Sequence, residues 1–356
     1  MHFRLFHSHK LKTDIEHREK LSRQGLDYFQ YFFLPSAGPK CFVSAGFEDL
    51  LLQQHQEGSI SSEKWLIGGS TGALRAFAFV NRSITGRDHT TFLKNHYCSM
   101  LYQNGTGAQE LHQMMQDAFY VCAPREEMLK SLSHSHFRLG IIVAKVHPCF
   151  DHLPYIVLKL ILGLIVILNW LTPSALQLFC TRLCFYTGPT PPKNLKTSSG
   201  IDFIPLTESN VYQVLHATTC IPFLSKPCRF IEGVGSGLYF DGGLTDFYLN
   251  FILDSQHEPG MLLADLEENQ AVPRSALDHF VPLAFQRQLP SEYFKHVSYI
   301  RPMLLYINSL PDGQLPAVND WFRQEYIQNP SKRHEKWNSA FHLSKKTWAS
   351  DFLSQI

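Results

Sequence analysis

The chain has 356 residues, and its 32 lysine and arginine residues nearly balance its 31 aspartate and glutamate residues. This length fits about two domains, or one large α/β domain with extensions. Hydrophobic residues make up 44% of the chain, which excludes intrinsic disorder over most of it. The balanced charge, without a long basic run, argues against nucleic acid as a partner.

The cysteines and the N-terminus predict a cytoplasmic protein. The eight cysteines are scattered without the compact spacing of a disulfide framework or a zinc site, so buried free thiols are expected. The first residues contain no apolar stretch of the length that a Sec signal peptide needs. We expect no bound metal and no cofactor, and the oligomeric state stays open.

The first predicted elements follow a polar stretch. Residues 1–38 are expected to form a polar, helix-prone N-terminal extension that ends in a proline- and glycine-rich segment. Residues 40–43 are then predicted to form a short buried strand, 44–46 a tight turn and 47–56 a helix.

The same order of strand, turn and helix then repeats. An apolar strand is predicted at 64–67, followed by a glycine-rich turn and a helix at 73–80. Further on, the pattern predicts a helix at 108–120 and strands at 136–146 and 201–206. Such alternation is typical of a mostly parallel central sheet flanked by helices, so the fold class is expected to be α/β.

The rest of the chain is expected to add to this scaffold. A helix is predicted at 208–216 and hairpin-like strands at 229–246. We divide the chain into the N-terminal extension, a central α/β domain at 39–270 and a helical C-terminal region at 271–356. In the last of these, helices are predicted near 317–328 and 332–343.

A serine motif lies between the second predicted strand and its helix. The residues Gly68-Gly69-Ser70-Thr71-Gly72 fit the pattern G-x-S-x-G. A serine on such a sharp turn is strained, and glycines flank it because a Cβ would collide with the neighbouring strand and helix. The helix that follows helps to stabilise negative charge on a substrate oxygen. This arrangement favours Ser70 as a nucleophile.

A carboxylate far along the chain is the best candidate for the base that Ser70 needs. Asp241 ends an apolar strand and precedes two glycines, Gly242 and Gly243. Alone, Asp-Gly-Gly is more often a turn. Downstream of a serine turn, however, it fits an acid whose carboxylate enters a tight pocket.

The serine motif (the serine box), Asp241 with its two glycines (the acid box) and a segment between them resemble motifs of the patatin-like phospholipase family. The serine box runs into Ala73-Leu74, the segment 217–222 reads Ala-Thr-Thr-Cys-Ile-Pro, and the acid box occupies 239–244. The middle segment is similar to the family's helix end Ala-Ser-x-Ala-x-Pro. The resemblance covers about residues 40 to 265, apart from an apolar stretch at 150–200 that stands out as an insertion.

The resemblance implies a Ser-Asp dyad that needs no histidine. Ser70 would attack an ester carbonyl, Asp241 would move the proton, and water would hydrolyse the acyl-enzyme. The implied function is a phospholipase A-like or lysophospholipase-like acyl hydrolase acting on phospholipids or other acyl-ester lipids.

One element departs from the family's pattern. The family's oxyanion loop is usually a glycine run followed by arginine or lysine. Here the turn after the first predicted strand offers the main-chain N–H groups of Ala45, Gly46 and Phe47, followed by the acidic Glu48. Loss of one oxyanion donor can lower a rate by about 10²–10³, so the alternative is a catalytically silent protein of this fold that docks on membranes or on partner proteins.

The stretch at 155–171 is apolar except for Lys159 and Asn169. At ~1.5 Å per residue, a helix of this length is at the short edge of what spans a bilayer. A single crossing would separate Ser70 from Asp241, so we expect a lid or a helix that contacts one leaflet, and a peripheral membrane association. An ordinary core helix is the plainer alternative.

A third alternative is an α/β-hydrolase with a Ser-Asp-His triad. His257 or His279 would supply the base, since both follow Asp241 in the sequence. That fold normally has an HGGG-type loop, which the sequence lacks.

Overall fold

The structure of the protein is a computed structural model. The residues that it describes are 1–7, 15–100, 113, 117, 125–134, 136–171, 175–196, 200–222, 225–245, 249, 251–253, 259–263 and 296–356. Apart from residues 113 and 117, the helix predicted at 108–120 lies outside the described residues, as do His257 and His279.

Strands of the described residues form one ten-stranded sheet and a separate two-stranded one. They are β1 (Phe3–His7), β2 (Tyr31–Leu34), β3 (Lys64–Gly68), β4 (Phe137–Val146), β5 (Cys180–Tyr186), β6 (Leu195–Lys196), β7 (Asp202–Pro205), β8 (Cys228–Ile231), β9 (Gly235–Asp241), β10 (Ile252–Leu253), β11 (Gly260–Leu263) and β12 (Val297–Pro302).

The large sheet is mixed and mostly parallel. Its order is β1-β12-β11-β2-β3-β4-β5-β7, and β9 pairs with both β4 and β8. The five strands from β12 to β4 run parallel to one another. In contrast, β1, β5 and β9 run antiparallel to their partners β12, β4 and β4.

Helices flank this sheet and confirm the α/β class. Those of the described residues are α1 (Ile15–Gln24), α2 (Gly46–Gln56), α3 (Thr71–Thr85), α4 (His89–Ser99), α5 (Arg125–Leu132), α6 (Tyr155–Leu171), α7 (Val211–Thr218), α8 (Leu304–Asn308), α9 (Gln324–Gln328) and α10 (Pro330–Leu353).

Both faces of the central strands are buried. In β2, Phe32 and Leu34 join the larger hydrophobic cluster, whereas Tyr31 and Phe33 join a second cluster on the other face. Side chains alternate between faces along a strand, so a strand covered on both sides reads as a continuous apolar run.

The N-terminal part of the chain differs from the expectation. Phe3–His7 and Tyr31–Leu34, which fall within the expected extension, are strands of the central sheet. The strand predicted at 40–43 is wrong, because these residues lie in a 3₁₀-helix, Gly38–Ser44. Pro39 has no N–H to donate to a ladder and its fixed φ suits the start of a helical turn.

The remaining element predictions mostly agree with the structure. The predicted strands at 64–67, 136–146 and 201–206 correspond to β3, β4 and β7, and the hairpin at 229–246 corresponds to β8 and β9. The helix predicted at 208–216 begins and ends slightly later, as α7. Residues 317–328 form a 3₁₀-helix, Val318–Trp321, followed by the short α9.

The C-terminal helix α10 packs directly on α2. Trp337 and Trp348 are fully buried. A Cβ on Gly46 would lie 2.5 Å from the carbonyl oxygen of Ser344, so only glycine permits this approach of the two helices. The C-terminal region therefore completes the core on this side of the sheet.

The helix expected at 155–171 is present as α6. Leu158, Leu162 and Ile165 are buried, so one face of α6 packs on the protein. Among the described residues, no helix has both the length and the apolar character needed to cross a membrane.

Six of the described cysteines are buried free thiols, whereas Cys149 is exposed. The eighth, Cys122, lies outside the described residues.

Candidate active site

Ser70 occupies a strained turn between β3 and α3. Its φ of 50° and ψ of −126° place a non-glycine residue in a region that L-amino acids rarely adopt. Such a conformation costs about 1–3 kcal/mol and persists only where the surroundings enforce it. The backbone of Ser70 therefore has the strain predicted for a nucleophile on a strand-to-helix turn.

The glycines around Ser70 are required because other backbone segments contact them. A Cβ on Gly68 would lie 2.5 Å from the carbonyl carbon of Gly72, and one on Gly72 would lie 2.0 Å from the carbonyl oxygen of Leu34. A Cβ on Gly69 would lie 2.7 Å from Ser36 Oγ. Real Cβ atoms do not approach backbone atoms this closely, so side chains are excluded at Gly68 and Gly72, whereas a side chain at Gly69 would require the Ser36 hydroxyl to move.

The long strand β4 brings Asp241 to Ser70. One edge of β4 pairs with β5, and its other edge is shared by two strands. Along that edge, β3 pairs in parallel as far as Gly68 opposite Ile141, and β9 pairs antiparallel, with Asp241 opposite Val143. The two strands therefore end facing each other, separated by about two residues of β4.

The Ser70 side chain lies beside the Asp241 carboxylate, and its hydroxyl, as a hydrogen-bond donor, acts to lower the pKa of that carboxyl. Both residues are 6% exposed. The main-chain N–H of Gly243 also donates to Asp241 Oδ1, at 2.6 Å. The structure thus brings together the two residues that the sequence singles out, although they are far apart in the chain.

Burial makes the Asp241 carboxyl a weaker acid than an exposed aspartic acid. It raises the pKa of Asp241 to about 7, because desolvation disfavours the charged form. The hydrogen bonds from Ser70 and Gly243 oppose this effect but do not cancel it. Asp241 can therefore both accept and release a proton near neutral pH.

The end of α7 ties the nucleophile and the acid together. Thr218 Oγ1 accepts a hydrogen bond from the N–H of Ser70 at 2.9 Å and donates one to the carbonyl oxygen of Ile142 at 2.7 Å. Two residues later, the carbonyl oxygen of Cys220 accepts from the N–H of Asp241 at 2.9 Å. The middle segment of the resemblance, 217–222, thus supports both partners.

The segment predicted to supply the oxyanion hole packs toward the C-terminal helix. The N–H of Ala45 donates to the carbonyl oxygen of Phe42, and the N–H of Gly46 donates to Ser344 Oγ at 3.0 Å. The ring of Phe47 contacts that of Trp348. Two of the three predicted donors are therefore already engaged within the protein.

A different segment borders the Ser70 turn. Because Leu34 pairs with Gly68 across the parallel strands β2 and β3, the residues after each strand leave the sheet side by side. The distances from Gly72 to Leu34 and from Gly69 to Ser36 show that 34–36 lies against the turn. The segment 34–36 therefore lies beside the Ser70 turn, directly after β2.

Glu48 does not stand as an isolated negative charge. Arg75 Nε donates to Glu48 Oε1 at 2.7 Å, and Arg75 Nη1 donates to Ser44 Oγ at 3.0 Å. Both charged residues are at most 2% exposed. Burial raises the pKa of Glu48, and the Arg75 guanidinium opposes that effect. The pair neutralises a charge that had seemed unfavourable near an oxyanion.

Within the described part of the chain, no group of three or more His, Cys, Asp or Glu side chains is arranged to hold a metal ion. His257 and His279 lie outside the described residues, so the Ser-Asp-His alternative stays a prediction.

The chain matches no protein-family model, and a search of curated protein sequences finds no match either. The interpretation of the site therefore depends on its own geometry and on the motifs in the sequence.

Proposed function

We propose that the protein is a serine acyl hydrolase of the patatin-like kind, with Ser70 as nucleophile and Asp241 as general base. Its substrates would be acyl esters of phospholipids, lysophospholipids or neutral lipids. The observation that supports this most is the interaction of a serine on a strained strand-to-helix turn with a buried carboxylate. That combination is typical of an activated nucleophile.

The raised pKa suits Asp241 to its proposed role. A general base is most effective when its pKa is close to the operating pH, and that of Asp241 is about 7. As the bond from Ser70 Oγ to the acyl carbon forms, the hydroxyl proton passes to Asp241. Asp241 then protonates the departing alcohol.

Deacylation would use the same groups with water as the nucleophile. Asp241 takes a proton from water while the water oxygen bonds to the acyl carbon. The bond from that carbon to Ser70 then breaks, and Ser70 Oγ regains a proton from Asp241. The free fatty acid leaves, and both side chains return to their starting states.

We place the oxyanion hole of the proposed enzyme after β2 rather than at 45–47. The candidate donors are the main-chain N–H groups of Ser36, Ala37 and Gly38, because oxyanion holes use such groups at the edge of the nucleophile's turn. The three small residues, followed shortly by Lys40, also match a glycine run followed by a basic residue better than 44–48 does.

A panel of substrates tests the proposed activity. Purified wild-type protein should release fatty acid from at least one class among short-chain esters, lysophospholipids, phospholipids and neutral lipids. Ser70→Ala, prepared in parallel, should release none above the rate of the buffer. If wild type and Ser70→Ala both fail on every class, the silent alternative is favoured; equal release by both refutes Ser70 as the nucleophile.

We further propose that α6 holds the protein against a phospholipid bilayer as a peripheral protein. Four large apolar side chains on α6 are more than half exposed, at the helical spacing that places them on one face: Ile156, Leu160, Leu164 and Ile167. Exposing such surface to water costs about 25 cal/mol per Å², and the proposed substrates are membrane lipids. We call these four residues the α6 stripe.

Charge placed on the α6 stripe should strongly weaken membrane binding. Leu160→Glu with Leu164→Glu is expected to lower co-sedimentation with phosphatidylcholine–phosphatidylserine vesicles by about tenfold or more, because each carboxylate would have to leave water. The matched control is Leu304→Glu, on α8, where the side chain is 61% exposed. A wild-type protein that does not co-sediment with vesicles but forms a dimer through the α6 stripe would contradict the proposal.

A further inference from the structure

Ser36 holds a position after β2 that mirrors the position of the nucleophile after β3. Leu34 and Gly68 are opposite each other in these parallel strands. Ser36 and Ser70 each follow two residues later, at the same edge of the sheet. The two serines are therefore presented side by side.

The Ser36 hydroxyl points into the junction of the dyad. A Cβ built on Gly69 would lie 2.7 Å from Ser36 Oγ and 3.5 Å from the Cα of Gly242. Gly69 directly precedes Ser70, and Gly242 directly follows Asp241. The segments that carry the nucleophile, the base and Ser36 thus converge on a single point.

Ser36 Oγ is buried without a hydrogen-bond partner among the described residues, and Ser36 is 6% exposed. Nearly all buried hydroxyl groups in proteins are hydrogen-bonded, and the exceptions are often at functional sites. An alanine would fill almost the same space without the unpaired polar atom. The Ser36 hydroxyl is therefore available to donate to a substrate atom that reaches this point.

We infer that the Ser36 hydroxyl donates a hydrogen bond to the oxyanion that forms when Ser70 attacks an ester carbonyl. This inference rests on the proposed acyl-hydrolase function. When the bond from Ser70 Oγ to the carbonyl carbon forms, the proton of Ser70 passes to Asp241 and the carbonyl π electrons move onto oxygen. The Ser36 hydroxyl donates a hydrogen bond to that oxygen, and its proton stays on Ser36. The electrons return when the alcohol leaves.

The inference predicts that Ser36→Ala lowers kcat without lowering the stability of the protein. Ser36→Ala should lower kcat for a short-chain ester by about 10²-fold with little change in KM, because the bond forms only in the transition state. The melting temperature should stay the same or rise, since an unpaired buried hydroxyl is removed. Ser36→Thr, which keeps a hydroxyl, should recover part of the lost kcat.

The outcomes distinguish this inference from the proposed function. If wild type is inactive, the proposed function fails, and this inference fails with it. If wild type is active and Ser36→Ala is equally active, only the inference fails. A loss of activity in Ser36→Ala that follows a fall in melting temperature, or a rise in KM alone, also overturns it.

Discussion

Replacing Asp241 with asparagine should lower the rate of ester hydrolysis at pH 8 by about 10³–10⁴-fold. Asparagine preserves the shape of the side chain but cannot accept the proton of Ser70, and loss of a base that activates a serine has effects of this size. Ser70→Ala should cause a loss at least as large. The measurement is kcat/KM for a soluble short-chain ester, which avoids any change in membrane binding.

The double variant tests whether the two residues act as one unit. Ser70→Ala combined with Asp241→Asn should be no slower than Ser70→Ala alone, because a base has nothing left to activate once the nucleophile is gone. Losses that multiply would contradict a dyad and favour independent roles.

The same pair predicts a pH profile. Asp241 must be ionised to accept the Ser70 proton, so kcat/KM of the wild type should rise with pH and level off above a midpoint near the pKa of about 7. The rising limb should be absent from the residual activity of Asp241→Asn. A wild-type profile that is flat from pH 5 to 8 would show that Asp241 is not the base.

The stability of Asp241→Asn is a useful control, because it should increase where the activity decreases. Because the pKa of Asp241 is raised in the folded protein, its contribution to stability is complete below the unfolded-state pKa and is lost as the pH rises through about 7. Asp241→Asn should therefore melt higher than wild type at pH 8.5, and this gain should shrink at lower pH. A variant that is inactive yet more stable cannot be explained as misfolded.

Replacing Arg75 with leucine should lower the free energy of unfolding by about 3–5 kcal/mol. The change leaves the Glu48 carboxylate buried without its guanidinium partner, and breaking one side of a buried ion pair has this cost. Burial already raises the pKa of Glu48, so the loss should be greatest at alkaline pH. Urea-induced unfolding measures it.

Two further variants isolate the ion pair itself. Adding Glu48→Gln to Arg75→Leu should restore a large part of the lost stability, because no charge is then left unpaired. Arg82→Leu, on the same helix, is the matched control. Arg82 pairs with Asp49 in a partly exposed position, and pairs that water can reach contribute about 1 kcal/mol or less. A loss in Arg82→Leu equal to that in Arg75→Leu would contradict the assigned role of burial.

The serine turn and the acid were predictable because their sequence signals are local. The glycines next to Ser70 are required by contacts within a few residues, as for Gly68 with Gly72, and by one neighbouring strand. The hairpin that carries Asp241 is likewise local. What the sequence could not show is that β3 and β9 end facing each other along β4, since that pairing joins distant parts of the chain.

The strand Tyr31–Leu34 was missed because the turn-rich segment that follows it has two interpretations. Pro35 to Pro39 reads as a linker that ends an extension, yet it follows the apolar run Tyr31–Leu34, which is the signal of a buried strand. The partners of β2 are β3 and β11, and β11 lies more than 200 residues away in the sequence. The pairing of β2 with β3 and β11 shows that Tyr31–Leu34 is a strand of the sheet and that the turn follows it.

The role of Thr218 was also hidden from the sequence. Its segment could be found by resemblance, but the hydrogen bond from the N–H of Ser70 to its hydroxyl joins residues that only the fold brings together. Likewise, the partner of Glu48 is on another helix, so its acidic side chain had appeared unfavourable until Arg75 was placed beside it.

The most direct test of the central claim is covalent labelling with a fluorophosphonate, followed by peptide mass spectrometry. Native wild-type protein at pH 8 should carry one phosphonyl group, on Ser70, whereas Asp241→Asn and heat-unfolded protein should carry none, because only a serine activated by its carboxylate reacts. An unlabelled wild type, or equal labelling of Ser70 in Asp241→Asn, would contradict the dyad.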